Sequence, residues 1–259
     1  MLFRSREKDW GKEKVFREGQ AEQVLDTLFF GFIDLAKKLQ PKVVIAENVK
    51  GLLLGEAKNY VREIYREFDL AGYYVQHWLL DASKMGVPQR RERVFFIALR
   101  KDLAKPFLYQ QDMFTVNPLL KLEFKEPEIP FKDIEAIETK FDIKNCTPDQ
   151  QKWWELTDTG SSFAEKHPKG SWFSCAKVDP EKVINTIVGS ARASASGFYH
   201  YKEPRHLHIE EYQLAGTYPT DYNFTEFNNN PVYLIGMSVP PVMTAQIAKQ
   251  VYEQWLSKI

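Results

Sequence analysis

Residues 41–100 constrain this chain more than any other stretch, because each end sets an apolar β-type run against a polar cluster. At the first end, PKVVIAENVKGLL carries Val43, Val44 and Ile45 straight into Glu47, Asn48 and Val49. At the second, GVPQRRERVFFIALR places Gln89, Arg91 and Arg93 before the run Val94-Phe95-Phe96-Ile97. Continuous apolar runs read as strands covered on both faces, as in a parallel α/β sheet. Sheets of that kind take ligands in the crevice beyond the carboxyl ends of their strands. Glu47 then stands at a cleft, and Arg91 and Arg93, two residues apart, share one face of an extended segment. Between the runs, Lys58 to about Ala71 reads as a helix with Val61, Ile64, Tyr65 and Phe68 inward and Gly72 as its stop. Tyr73–Leu80 reads as a further strand, giving a βαββ order. Upstream, Leu25, Leu28, Phe29, Phe32, Leu35, Ala36 and Leu39 recur at three and four, which predicts a helix over 21–39 packed on the sheet.

After Asp102 the pattern changes. Pro106, Pro118, Pro127 and Pro130 interrupt a stretch of weaker periodicity, which puts a boundary near residue 120. Trp153, Trp154, Trp172 and Phe173 read as a compact core. The run SARASASGFYHYK at 190–202 combines small residues with Arg192, Ser194, His200 and Lys202. It is either a linker or a loop able to approach phosphates and base edges. Lysine plus arginine equals aspartate plus glutamate at 35 each, so any nucleic-acid contact must rest on such a local patch. Cys146 and Cys175 lack metal or disulfide-framework spacing, and His206 and His208 have no further ligands, so no metal is expected. Nothing resembles a signal peptide or a spanning helix, and the expected location is cytoplasmic.

Several blocks together resemble the DNA (cytosine-5) methyltransferases. They are ENV after an apolar strand, QRRER before another, RHLHIEEYQLAGTYPTDY at 205–222 and YLIGMSVPPVMTAQIA at 233–248. TLFF at 27–30 and TIV at 186–188 are weaker echoes. The resemblance implies a partial Rossmann-like methyltransferase sheet, α/β in class, with an inserted small, mostly β target-recognition domain. The implied division is a truncated catalytic domain over 1–120, a target-recognition domain over 121–230 and a returning segment over 231–259. The family's Gly-rich cofactor loop and its Pro-Cys nucleophile loop do not occur here. By analogy, the first strands of the sheet would lie upstream of Met1, and the edge so exposed predicts poor solubility without a covering partner.

The resemblance also implies roles. Glu47 would protonate or hydrogen-bond N3 of a flipped cytosine, which needs a carboxyl pKa raised by desolvation. The plain alternative for Glu47 is a capping or salt-bridged carboxylate. Asn48 would hold the turn, Arg93 would grip the cytosine O2, and Arg91 and Gln89 would organise the pocket. Leu28, Met237, Ser238 and Val239 would lie against S-adenosylmethionine, although Ser238 reads equally as a helix cap and Met237 replaces the family's usual asparagine. Arg205 and Glu211 would bury a structural ion pair. The charged run at 4–20 is either a solvated loop or an approach to the DNA backbone. Two functions follow. One is the C-terminal part of a restriction-modification enzyme acting on double-stranded DNA, completed by a complementary N-terminal chain and inactive alone. The other is an inactive remnant that binds DNA or assembles with a partner.

Overall fold

The computed structural model describes residues 25–54, 58–110, 116–136, 138–172, 174–191, 196–224 and 231–259. These fall into two compact units. Among the described residues, the sheet unit takes 25–80, Glu92–Leu122 and Lys249–Ile259, and the insert unit takes Asp81–Arg91 and Glu123–Ala248. The chain thus changes unit between Leu80 and Asp81, between Arg91 and Glu92, after Leu122, and again within its C-terminal helix.

In the sheet unit, α1 (Leu25–Leu39), β1 (Val43–Val49), α2 (Lys58–Leu70), β2 (Tyr73–Asp81) and β3 (Glu92–Arg100) follow the expected order. The sheet runs β1-β3-β2. Its β1–β3 pairing is antiparallel, from Val43 opposite Leu99 to Val49 opposite Arg93, and this corrects the wholly parallel reading. The physical reason lies in the connections. Residues 82–91 form a loop with one short 3-10 turn between β2 and β3. A loop without a helical crossover cannot join parallel neighbours, so β3 returns in the opposite sense.

The two apolar runs also differ in cover. From Val94 to Leu99 β3 is at most 3 % exposed, so the central strand is enclosed on both faces as expected. The edge strand β1 alternates, with Val44 and Ala46 buried but Ile45 40 % exposed. Ile33 and Ala36 of α1 and Ile64 and Phe68 of α2 pack with Val44, Val75, Val94 and Phe96 into one core. The broad stripe of α1 is therefore split. Its inner half is core, while Leu28, Phe32, Leu35 and Leu39 face outward. At the end of α2, Gly72 takes φ +91°, the left-handed stop that glycine tolerates. Beyond β3 come α3 (Lys101–Ala104) and an antiparallel pair of short strands, β4 (Leu108–Gln110) and β5 (Val116–Pro118).

The insert unit contains α4 (Pro148–Leu156), β6 (Cys175–Lys177), β7 (Gly197–Tyr199), α5 (Ile209–Ala215), α6 (Pro231–Met237) and most of α7 (Pro241–Gln254). Its only described strands, β6 and β7, are three residues long and pair in parallel, so the described insert is irregular with short helices rather than mostly β. Side chains take up much of the hydrogen bonding that a ladder would otherwise supply. Thr147 with Gln150, and Ser162 with Glu165, form reciprocal caps. The main core gathers Phe131, Ile187, Leu207, Tyr212, Val232 and Ile235. A second cluster of Phe163, Cys175 and Tyr199 carries Trp153, Trp154 and Trp172 packed against it, which matches the core reading of the tryptophans. Phe173, the run 4–20, Arg192 and Ser194 lie outside the described residues. No described helix is long and apolar enough to cross a membrane.

Candidate active site

Antiparallel pairing brings the carboxyl end of β1 against the start of β3. Glu47 stands opposite Phe95 and Arg93 opposite Val49, so Glu47 and Arg93 are diagonal neighbours on one face. Their side chains meet: Arg93 Nε lies 2.8 Å from Glu47 Oε1. Arg93 Nη1 also donates to the Glu92 carbonyl at 2.8 Å, which fixes the guanidinium from its own strand. The arginine side chain is 14 % exposed and the carboxylate 31 %. Burial holds the Arg93 pKa below the ordinary value, against the opposing pull of Glu47. A guanidinium nonetheless keeps its charge at any physiological pH. Asn48 accepts the Val49 N–H on Oδ1 at 2.8 Å, the local bond expected of it.

Glu47 and Asn48 form the polar lip of a cleft of about 380 Å³, whose other lining residues are Leu28, Phe29, Phe32, Ile45 and Ala46. The cleft walls are apolar because the outer half of α1 and the uncovered face of β1 meet there.

The other residues singled out in the sequence have different partners. Arg91 is 2 % exposed, and its fork donates to the Ile187 and Gly236 carbonyls, each at 3.1 Å. Gln89 accepts the Ile187 N–H at 3.0 Å and donates to the Ala215 carbonyl at 3.4 Å. Both tie main-chain segments of the insert unit together. The short TIV echo at 186–188 is the segment they hold. Gly236 belongs to the same knot: a Cβ there would sit 2.5 Å from the Val188 carbonyl carbon. Ser238 is bonded back to the preceding helix. Its hydroxyl donates to the Ile235 carbonyl at 2.9 Å, closing α6. Met237 is 43 % exposed with its sulfur beside Gly189, and Val239 is half-buried.

His200, expected on a DNA-facing loop, is turned inward and 1 % exposed, whereas Lys202 is exposed and lies over the Tyr201 ring at 4.8 Å. Arg205 and Glu211 form the expected buried pair, at 3.0 and 3.2 Å with 6 % and 0 % side-chain exposure. Burial pushes the Cys146 thiol up to about 11 and raises Cys175 as well, so neither rests as a thiolate at neutral pH.

The profile of the C-5 cytosine-specific DNA methylases matches residues 10–253, across both units and through the Glu47–Arg93 lip. The chain belongs to that family. Among its relatives, the type II methyltransferase M.NgoPII of Neisseria gonorrhoeae is 38 % identical over 231 residues, covering 85 % of this chain and 67 % of that protein. M.NgoFVII from the same organism is 26 % identical over 248 residues, covering 92 % and 65 %. This C-5 cytosine methylase chain spans less than two thirds of the M.NgoFVII and M.Eco47II sequences, at 65 % and 58 %. Dnmt2 of Schizosaccharomyces pombe shares the fold at a TM-score of 0.57 and 14 % identity, over 87 % of this chain and 71 % of its own. Entamoeba histolytica EhMeth does so at 0.54 and 14 %, over 82 % and 63 %. The observed fold is accordingly a Rossmann-like methyltransferase α/β fold.

Family membership implies S-adenosylmethionine, and the described residues fit it only in part. The apolar cleft wall at Leu28 suits an aromatic ring. A zwitterionic amino-acid end and ribose hydroxyls need several further partners. The polar groups of the cleft are the Glu47 carboxylate, paired with Arg93, and the Asn48 amide, whose oxygen is engaged. The Ser238 hydroxyl spends its one donor on the Ile235 carbonyl and keeps only acceptor capacity. These residues do not by themselves make a cofactor site.

Proposed function

We propose that this chain supplies the base-binding half of a DNA cytosine-5 methyltransferase centre of the restriction-modification type. The observation that carries the reading is the 2.8 Å ion pair of Glu47 and Arg93 at the mouth of an open cleft. A cytosine extruded from duplex DNA presents N3 and O2 as adjacent acceptors. A carboxylic acid beside a guanidinium matches that edge, one group for each atom. Arg93 would turn its donors from Glu47 to O2, and Glu47, taken out of water by the base, would hold the proton at N3. Both contacts stabilise the electron density pushed onto the ring when a thiolate adds at C6, so they act on the transition state more than on the free base.

The thiolate is assigned to a polypeptide segment outside these 259 residues, because both cysteines here are held as thiols in the insert core. S-adenosylmethionine would supply the methyl group for C5, with its polar contacts coming from the segment that bears the Gly-rich loop. A complementary chain with both loops would cover the outward stripe of α1. Leu28 keeps its proposed place against the cofactor, and Lys202 its place against phosphate. His200, Gln89 and Arg91 become supporting residues.

The test is complementation. The purified chain is mixed with a fragment carrying the Gly-rich and Pro-Cys loops, and tritiated methyl transfer to duplex DNA is counted. Incorporation by the mixture and not by either part supports the proposal. No incorporation from two folded, associating parts overturns it in favour of a remnant that binds without turnover.

A further inference from the structure

The strongest unexplained feature of the insert unit is the way His200 is bonded. Its Nδ1 accepts two main-chain N–H groups, from Lys202 at 3.3 Å and Glu203 at 3.2 Å. An Nδ1 that accepts carries no hydrogen, so the neutral ring bears its proton on Nε2. Nε2 lies 2.9 Å from Glu135 Oε1, and the other Glu135 oxygen accepts the Tyr201 hydroxyl at 3.1 Å. The His200 main chain closes the same turn: its N–H donates to the Arg205 carbonyl at 2.9 Å, and its carbonyl accepts the Trp154 indole N–H at 2.7 Å. The ring thus holds the middle of residues 200–205, and the main chain of the same residue holds the end. The exposed Lys202 sits in the middle of that turn.

We propose that neutral His200 is an acid-sensitive latch, and that protonation of its Nδ1 opens the 200–205 turn and releases Lys202 from its fixed position. A protonated Nδ1 would aim an N–H at two other N–H groups, and among the described residues neither main-chain donor has another acceptor to turn to. The charged groups facing the ring are Glu135 from the loop before α4, Glu203, Arg205 and Lys202 from the turn itself, and Glu211 from α5. Glu203 and Glu211 are both spent on Arg205. Among the described residues Glu135 is left as the one carboxylate bonded to the ring, and it can bond Nε2–H without a second proton on the imidazole.

The sign follows from burial. Desolvation, then Arg205, lowers the His200 pKa, with Glu135 opposing. The latch is then fully closed above the ordinary histidine value of about 6.5 and weakens as pH falls through the lower folded value. His208 is shifted the same way by burial, so a bulk acid transition alone would not single out His200.

The deciding measurement is native-state hydrogen exchange of the Lys202 and Glu203 amides between pH 5 and 8, corrected for intrinsic rates. Their protection is expected to fall by up to about tenfold per pH unit on the acid side, while the β3 amides stay protected. The substitution His200→Asn replaces Nδ1 with an amide oxygen that cannot be protonated in this range. It should keep the protection and lose its pH dependence. A protection independent of pH in the native chain, or one that still varies with pH in His200→Asn, overturns the proposal. If His200→Asn does not fold, the His200 ring proton titration by NMR takes its place, and a midpoint at or above 6.5 would be the contrary result.

Only the DNA consequence rests on the proposed function. Duplex affinity at constant ionic strength should drop more from pH 8 to 5 in the native chain than in His200→Asn. An unchanged affinity in Lys202→Ala would remove Lys202 from the DNA surface and leave the latch standing on its exchange data.

Discussion

Removing the charge of Glu47 should loosen the join between β1 and β3, by an amount that can be worked from the geometry. Two unit charges about 4 Å apart attract by about 4 kcal/mol at an effective dielectric near 20. Solvent reaches 31 % of the carboxylate side chain and 14 % of the guanidinium, so part of that attraction only offsets lost hydration. A net coupling of about 1–2 kcal/mol remains. Glu47→Gln keeps the shape and an acceptor oxygen, and Arg93→Met keeps the apolar stem. Together they make a double-mutant cycle. The chain has two units, so one global melting curve would not isolate the effect. Exchange of the Val44, Ala46 and Phe96 amides reports the opening of this sheet directly. A coupling below about 0.5 kcal/mol would mean that the pair is a surface contact and not a preset site.

Three other outcomes follow from the same contacts. Glu211→Gln leaves Arg205 buried with one charged partner fewer, and should destabilise the insert unit by about 3 kcal/mol, read as a lower urea midpoint of its tryptophan fluorescence. Cys146, with its thiol pushed up to about 11, should react with iodoacetamide at pH 7 far more slowly than a free thiol and accelerate through pH 9–10; fast labelling at pH 7 would contradict its burial as a thiol. Gly236→Ala should destabilise the insert unit, because its new methyl meets the main chain at Val188 and not a side chain that can swing away; an unchanged urea midpoint would show that α6 can shift without cost.

Helices α1, α2 and α7 and the three sheet strands were legible in the sequence because each follows from local signals, whereas the Glu47–Arg93 partnership was implied by the resemblance of the ENV and QRRER blocks. Two residues of separation fix which face Arg93 shares with Phe95, and the apolar run of β3 announces its cover. Strand direction was not legible. An apolar run looks the same whichever way its neighbour points, and only the helix-free loop at 82–91 hinted at a reversal. The partners of Arg91 and Gln89 were hidden for a related reason. A fork that binds carbonyls at Ile187 and Gly236, about 100 and 145 residues away, leaves no mark of its partners in the local sequence. His200 was read as exposed because small neighbours and a following lysine suggest a mobile loop, and nothing local reveals that its ring nitrogens are filled. The short helix α6 before Ser238, whose Ile235 carbonyl takes the Ser238 hydroxyl hydrogen, was not foreseen either.

The most direct test is single-turnover methyl transfer at saturating DNA in the complemented mixture, comparing the native chain with Glu47→Gln. Loss of the proton donor at N3 should slow the chemical step by about 10²-fold or more, with DNA affinity little changed. Equal rates would show that the carboxyl group of Glu47 takes no part in activating the base.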